Sequence, residues 1–212
     1  MAYTKQDIKR LCKGRTDEQQ KTIKYFLGTG GCLSKSISDE EYEAAVQAKA
    51  KSIDFKQKGL NKIGLDESQV NEIEPVHFEG YYFDENKTYA KCGKDRKWRS
   101  SAYQVSWIFF SNTQVYVYQY TFNMNEDGKK ESTEEYFYKD ITNFSTSSDT
   151  VEQEVLDKVN CKGEATYSRK NVDSNVFSLV VPGDKFRCSM EQTDYTESAI
   201  QGMKAKLREK KG

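Results

Sequence analysis

The chain has 212 residues, enough for one large domain or two small ones built on a real core. Thirty-three basic residues balance thirty-three acidic ones, which excludes a global field that would draw the protein to a polyanion. Hydrophobic residues make up 36%, aromatic residues 13%, and the mean hydropathy is -0.88, so a wet surface covers an aromatic core in a folded rather than a disordered chain.

No apolar run approaches the roughly 20 residues that cross a bilayer. The start, "MAYTKQDIKRLCKGRTDEQQ", lacks the apolar stretch of a signal peptide, and a cytoplasmic location is the expectation. Cys12, Cys32, Cys92, Cys161 and Cys188 are odd in number and widely scattered, without the close spacing of a zinc knuckle. They read as free, mostly buried thiols.

Residues 1–74 read as a helical subdomain. "TKQDIKRLCK" spaces Ile8, Leu11 and Cys12 for one helix face, with Thr4 and Asp7 as a capping pair. "TDEQQKTIKYFLG" opens on the capping box Thr16 and Gln19 and closes at Gly28. "SDEEYEAAVQAKAKSIDF" opens on Ser38 and Glu41 and lines up Tyr42, Val46, Ala50 and Ile53. "DESQVNEI" is a further short helix ending before Pro75. Between the second and third helices, "GTGGCLSKS" reads as a glycine linker, because its glycine and lysine spacing fails the phosphate-loop pattern.

After Pro75 the period becomes two. "HFEGYYF" is a strand; in "AYQVSWIFF", Tyr103, Val105, Trp107 and Phe109 face one way, Ile108 and Phe110 the other. "SNTQ" turns the chain into "VYVYQYTFNM", where Tyr116, Tyr118, Tyr120, Phe122 and Met124 share a face. "NEDGKK" is a second turn, followed by "EEYFYKDITNFST" as a strand, a polar loop over 145–163, and the strands "EATYSRK", "VFSLVV" and "KFRCSM". A closing helix, capped at Asp194 and Glu197, carries the stripe Ile200, Met203 and Leu207, with Lys206, Arg208, Lys210 and Lys211 near its C-terminal dipole end.

About seven short strands followed by one amphipathic helix predict an α+β chain whose residues 76–212 form a strongly bent antiparallel sheet or barrel plugged by that helix. In this order, and in the stretches "KWRSSAYQVSWIFF", "EEYFYKDITNFS", "FSLVVPGDKF" and "ESAIQGMKAKLREKK", the region resembles the pleckstrin-homology-like barrel, particularly its versions in bacterial proteins. Lipid-binding members of that superfamily hold inositol phosphates with basic residues between their first two strands. Here Lys91, Lys94, Arg96, Lys97 and Arg99 lie in the matching place, and Lys94, Lys97 and Arg99 resemble the family's spacing. Asp95 interrupts the patch, and the closing helix lacks the tryptophan of the eukaryotic domains.

Fork-shaped arginines and point-charge lysines suit phosphate oxygens, and Trp98 suits a headgroup interface, whereas a solvated cationic hairpin is the plain reading of such a charge run. Trp98, Tyr116, Tyr118 and Tyr120 are candidate anchors for a protein partner. His77 is the only histidine, which excludes multi-histidine metal sites, and carboxylate runs such as Asp39-Glu40-Glu41 and Glu134-Glu135 support no acid-base assignment without a pocket. The reading that follows is a non-enzymatic interaction module, without a cofactor, binding a protein partner or its own copies. Anionic lipid bound through residues 91–99 is the alternative, and an enzyme using carboxylates, tyrosine or cysteine between the two parts is the third. Nucleic acid is disfavoured by the zero net charge.

Overall fold

The computed structural model describes residues 3–28, 37–84, 88–159 and 165–212, so the linker 29–36, with Cys32, and Cys161 lie outside the described residues. Four helices open the chain: α1 (Lys5–Cys12), α2 (Asp17–Leu27), α3 (Asp39–Lys51) and α4 (Phe55–Ile63). Thr4, Thr16 and Ser38 each close a reciprocal capping box, satisfying backbone donors that a helix leaves free. The expected long third helix stops at Lys51, and α4 is a separate helix that the sequence reading missed, capped by Asp54 and ended at Gly64 in the left-handed region. "DESQVNEI" forms only a 3-10 turn at Glu67–Gln69.

Among the described residues, nine strands follow in two sheets. The first is antiparallel, in the order β1 (Val76–Tyr82), β4 (Ala102–Phe110), β5 (Gln114–Asn123), β6 (Lys129–Phe137). The second runs β3 (Trp98–Ser100), β2 (Ala90–Cys92), β7 (Asn143–Val159), β8 (Ala165–Val181), β9 (Asp184–Ser189). The sheets do not close into a barrel, and one contact, Ala90 with Val155, is parallel. Helix α5 (Asp194–Lys211) ends the fold, its N-cap being Thr193 paired with Thr196 rather than Asp194.

Three sequence expectations are corrected within these strands. "EEYFYKDITNFST" contains the end of β6, a turn and the start of β7, not one strand. Residues 143–159, expected as loop from 145 onward, are strand β7, and "EATYSRK" with "VFSLVV" belongs to one strand, β8. At 17 residues each, β7 and β8 make a hairpin roughly 55 Å long, interrupted by a register shift between Leu156 and Lys158.

The first sheet is the middle layer. Its odd-numbered β4 residues and even-numbered β5 residues, with Tyr103, Val105, Tyr118 and Phe122 among them, pack under the N-terminal helices around Ile23, Phe26, Tyr42 and Leu60. The opposite face, with Ile108, Phe110, Val115 and Val117, meets Phe144, Phe177, Leu179 and Phe186 of the second sheet. Helix α5 seals that second core with Ile200, Met203 and Leu207, as the stripe predicts.

Met203 is fully buried, whereas a Cβ on the adjacent Gly202 meets open space. We expect Met203→Ala to cost about 3 kcal/mol and Gly202→Ala to add about 0.5–1 kcal/mol in urea unfolding, the first by opening a cavity and the second by helix propensity.

Candidate binding site

The basic segment folds as the β2–β3 hairpin, and its register sets Lys91 directly opposite Arg99. Two like charges across a ladder repel, so the arrangement needs acidic partners. Helix α3 supplies them from one face, since Asp39 and Glu43 stand four residues apart. Asp39 Oδ1 accepts the Tyr25 hydroxyl at 2.8 Å and lies 3.5 Å from Lys91 Nζ, while its Oδ2 accepts the Lys94 backbone N–H at 3.0 Å. Lys91 Nζ also sits 3.7 Å above the Tyr25 ring centroid, a cation–π contact.

Arg99 is only 1% exposed. Its Nη1 and Nη2 donate as a fork to Asp95 at 2.9 and 2.8 Å, and Nη2 also donates to Glu43 Oε1 at 2.8 Å. Nη1 reaches the Lys97 carbonyl at 3.2 Å, and Nε has no partner among the described residues. These contacts lower Asp95 far below the carboxylate range, hydrogen bonds from Arg99 first and the Lys97 N–H second, and they raise the Arg99 guanidinium. Burial alone would raise Asp39, but the Lys94 N–H, the Tyr25 hydroxyl and the two cations bring it below its ordinary value. Desolvation lowers Lys91 against the pull of Asp39.

Two of the five candidate phosphate ligands, Lys91 and Arg99, are therefore paired inside the protein. Lys94, Arg96 and Lys97 have exposed side chains, with Arg96 at the hairpin tip in the left-handed region at φ 64°. Trp98 is half-buried, packed with Phe83 against Ala90, Val155 and Val172. Tyr116, Tyr118 and Tyr120, expected as partner anchors, lie in the core beneath the helices. Tyr118 donates to Glu131 at 2.8 Å, and the Tyr120 ring centroid is 5.3 Å from that of Phe55. His77, on β1, stacks on Trp107 at 4.9 Å, its Nδ1 3.1 Å from the Tyr195 hydroxyl. Cys12 and Cys188 are buried and Cys92 is exposed, all three free; burial pushes Cys188 up to about 12. Among the described residues no three metal-ligating side chains converge.

From Lys91 an aromatic column runs inward. Tyr25 stacks on Tyr42 at 4.6 Å, Tyr42 lies parallel to Tyr81 at 6.4 Å, and Tyr81 meets Tyr103 edge-on at 5.4 Å. The Tyr42 hydroxyl donates to the Ser100 carbonyl at 2.7 Å, fastening α3 to the end of β3. The column ends at a cleft of about 550 Å³ between α3, β1, β3 and the exit of β9. Tyr81, Phe83, Trp98 and Tyr103 give it aromatic walls. Asp173 and Glu191 line it with one ammonium, Lys97, while Glu43, also in the lining, is already paired with Arg99. The Glu191 carboxyl is raised, first by desolvation and then by Glu79 and Glu43, with Lys97 opposing the shift. Carboxylates beside aromatic faces attract a cation and repel a phosphate.

No protein-family model, curated protein or solved structure matches the chain significantly. The site therefore stands on its own residues.

Sequence reasoning found the cations but missed Asp39 and Glu43 as their partners, and it missed Tyr81, Tyr103, Asp173 and Glu191. The i, i+4 acidic pair at the start of a helix was visible; its position over the hairpin is tertiary information.

A Cβ at Gly93 would overlap Arg99 Nη1 and come within 2.6 Å of Asp95 Oδ1 and 2.8 Å of Asp39 Oδ2. Gly93→Ala should therefore cost about 1–3 kcal/mol in urea unfolding, by displacing the guanidinium or the strand carrying it. Acid provides a second check. Asp39 and Asp95 have depressed folded-state pKa values, so their contribution is complete above about pH 4 and is lost as pH falls toward the folded values. Unfolding measured from neutral pH downward should show a steep acid limb that Asp95→Asn flattens.

Proposed function

We propose that the chain is a non-catalytic interaction module that receives a cationic segment of a protein partner in the cleft between α3 and the two sheets. The observation that carries this reading is the pairing of four aromatic walls with Asp173 and Glu191 against a single lysine, Glu43 being held by Arg99. Aromatic side chains supply contact area with little conformational entropy to lose, and a desolvated cation over a ring gains more than one in water. The likeness to pleckstrin-homology-like domains belongs to the same proposal. Leaving out the short β2–β3 hairpin, seven strands followed by one helix remain, which is the order the resemblance implies.

A second reading is anionic headgroup binding at the hairpin tip, favoured by the exposed Lys94, Arg96 and Lys97. The two surfaces have opposite charge, and one pair of measurements separates them. Fluorescence anisotropy with a labelled octa-arginine peptide at low salt should show saturable binding, weakened at least about tenfold by Asp173→Lys with Glu191→Lys. Flotation with phosphatidylserine vesicles should show no retention. Retention lost in Lys94→Glu with Lys97→Glu, together with no peptide binding, would replace the first reading by the second.

A further inference from the structure

The cleft lies at one side of the first sheet; the other side ends in β6, an open edge. Among the described residues, strand β6 pairs only with β5, through the register Phe122 with Lys129 to Gln114 with Phe137. Two bonds fix which of its backbone groups are used. Asn123 N–H donates to the Gly128 carbonyl, and Tyr138 N–H donates to the Thr113 carbonyl, so even-numbered positions face β5. The N–H and C=O groups of Lys129, Glu131, Thr133 and Glu135 consequently point outward, as a row of free donors and acceptors.

The side chains of this edge have their own symmetry. "KKESTEE" carries Lys129 and Lys130, followed by Glu131, before Ser132 and two anions, Glu134 and Glu135, after it. Antiparallel pairing with a second copy, two-fold about Ser132, sets Lys129 opposite Glu135, Lys130 opposite Glu134, and Glu131 opposite Thr133. Symmetry repeats each pair, giving four opposite-charge pairs, two on each face of the joined sheet. The same register places odd-numbered residues opposite odd-numbered residues, which is what the outward hydrogen-bonding groups require. Shifting by two residues either way keeps that parity but sets Glu131 opposite Glu135, or opposite itself. The hydrogen-bond phase and the charges thus select one register. Phe137, exposed at 49% at the end of the same strand, then lies beside the partner's β5–β6 turn.

We infer that β6 is a homodimerisation edge, joining two copies of the first sheet into one continuous sheet about Ser132. Charges on an edge also keep unrelated strands away, so the same residues that accept a second copy reject other edges. The inference is independent of the cleft and of what it binds.

Sedimentation equilibrium of the full chain at about 100 µM and about 0.1 M salt should give twice the 24.5 kDa of one copy. Lys129→Glu with Lys130→Glu makes the strand all acidic, and Glu134→Lys with Glu135→Lys makes its second half basic. Each variant alone should dissociate, its dimer weakened at least about 100-fold, and an equimolar mixture should recover a heterodimer. Thr133→Pro, which removes only an outward N–H, should also give a monomer with an unchanged far-UV spectrum. A monomeric wild type, charge variants that dimerise as the wild type does, or a mixture that fails to associate would each overturn the inference.

Discussion

The two central strands of the first sheet are buried on both faces, and this constraint organises the rest of the molecule. Every residue of β4 except Trp107 is buried. A strand in that position cannot leave a polar face to water, so both faces must be covered: by the helices on one side, and by the second sheet with α5 on the other. The N-terminal helices are short, and helices of that length are marginal alone, so the aromatic face they cover is also what holds them in helical form. Polar residues in the buried layer have to find partners there. Gln104 donates to Thr121 at 3.0 Å and accepts the Ser189 N–H at 2.7 Å, and Gln119 donates to the Arg187 carbonyl at 2.8 Å. These bonds tie β9 across the first sheet, and they exchange the loss of hydration for a defined stacking of the two sheets.

Charge plays the corresponding part at the corner where the chain passes between sheets. Strand β3 enters β4 through Ser100, Ser101 and Ala102, all buried and all small, and Ser100 Oγ donates to the Tyr82 carbonyl. Arg99, just before this corner, cannot reach water and is held by Asp95 and Glu43. Its pairing does more than neutralise a buried cation. By anchoring the hairpin to α3, it brings Trp98 and Glu43 into the lining of one cleft. Removing either carboxylate would leave the guanidinium partly unpaired, which costs more than an exposed ion pair contributes.

How much of this was legible in the sequence depends on where apolar residues and caps are dense. The capping boxes at Thr4, Thr16 and Ser38 and the alternation in β4 and β5 were read directly, because each is a local pattern with a local cause. Strand β7 from residue 145 onward was not, and β8 was read as two separate strands, since much of their length is polar; Val155 and Val172 are the isolated buried apolar residues of their outer halves. Their strand form follows from pairing with each other, a non-local cause. Helix α4 was hidden by Gly59, a poor helix former in isolation. There the helix lies so near the sheet that a Cβ would stand 3.0 Å from the Tyr118 ring. At the site, five cations in nine positions read as a solvated hairpin with a phosphate grip as the alternative, and the sequence offered no measure of how many were already paired. The tyrosines of β5 showed the same ambiguity, for period two says that a face is buried without saying by what.

The geometry also bears on how separate surfaces of one small protein can act together. Strands β1 and β6 are the two edges of the first sheet, with β4 and β5 between them, so the cleft beside β1 and the free edge of β6 face apart. A cationic segment in the cleft leaves β6 open, and a second copy on β6 leaves the cleft open. A two-fold pair would therefore present two clefts on a single rigid sheet, converting a second weak contact with a multivalent partner into an intramolecular one. Zero net charge suits such an arrangement. With no net charge to act at a distance, and fields between exposed charges fading over about 8–10 Å in physiological salt, selectivity in the proposed arrangement would rest on short-range complementarity.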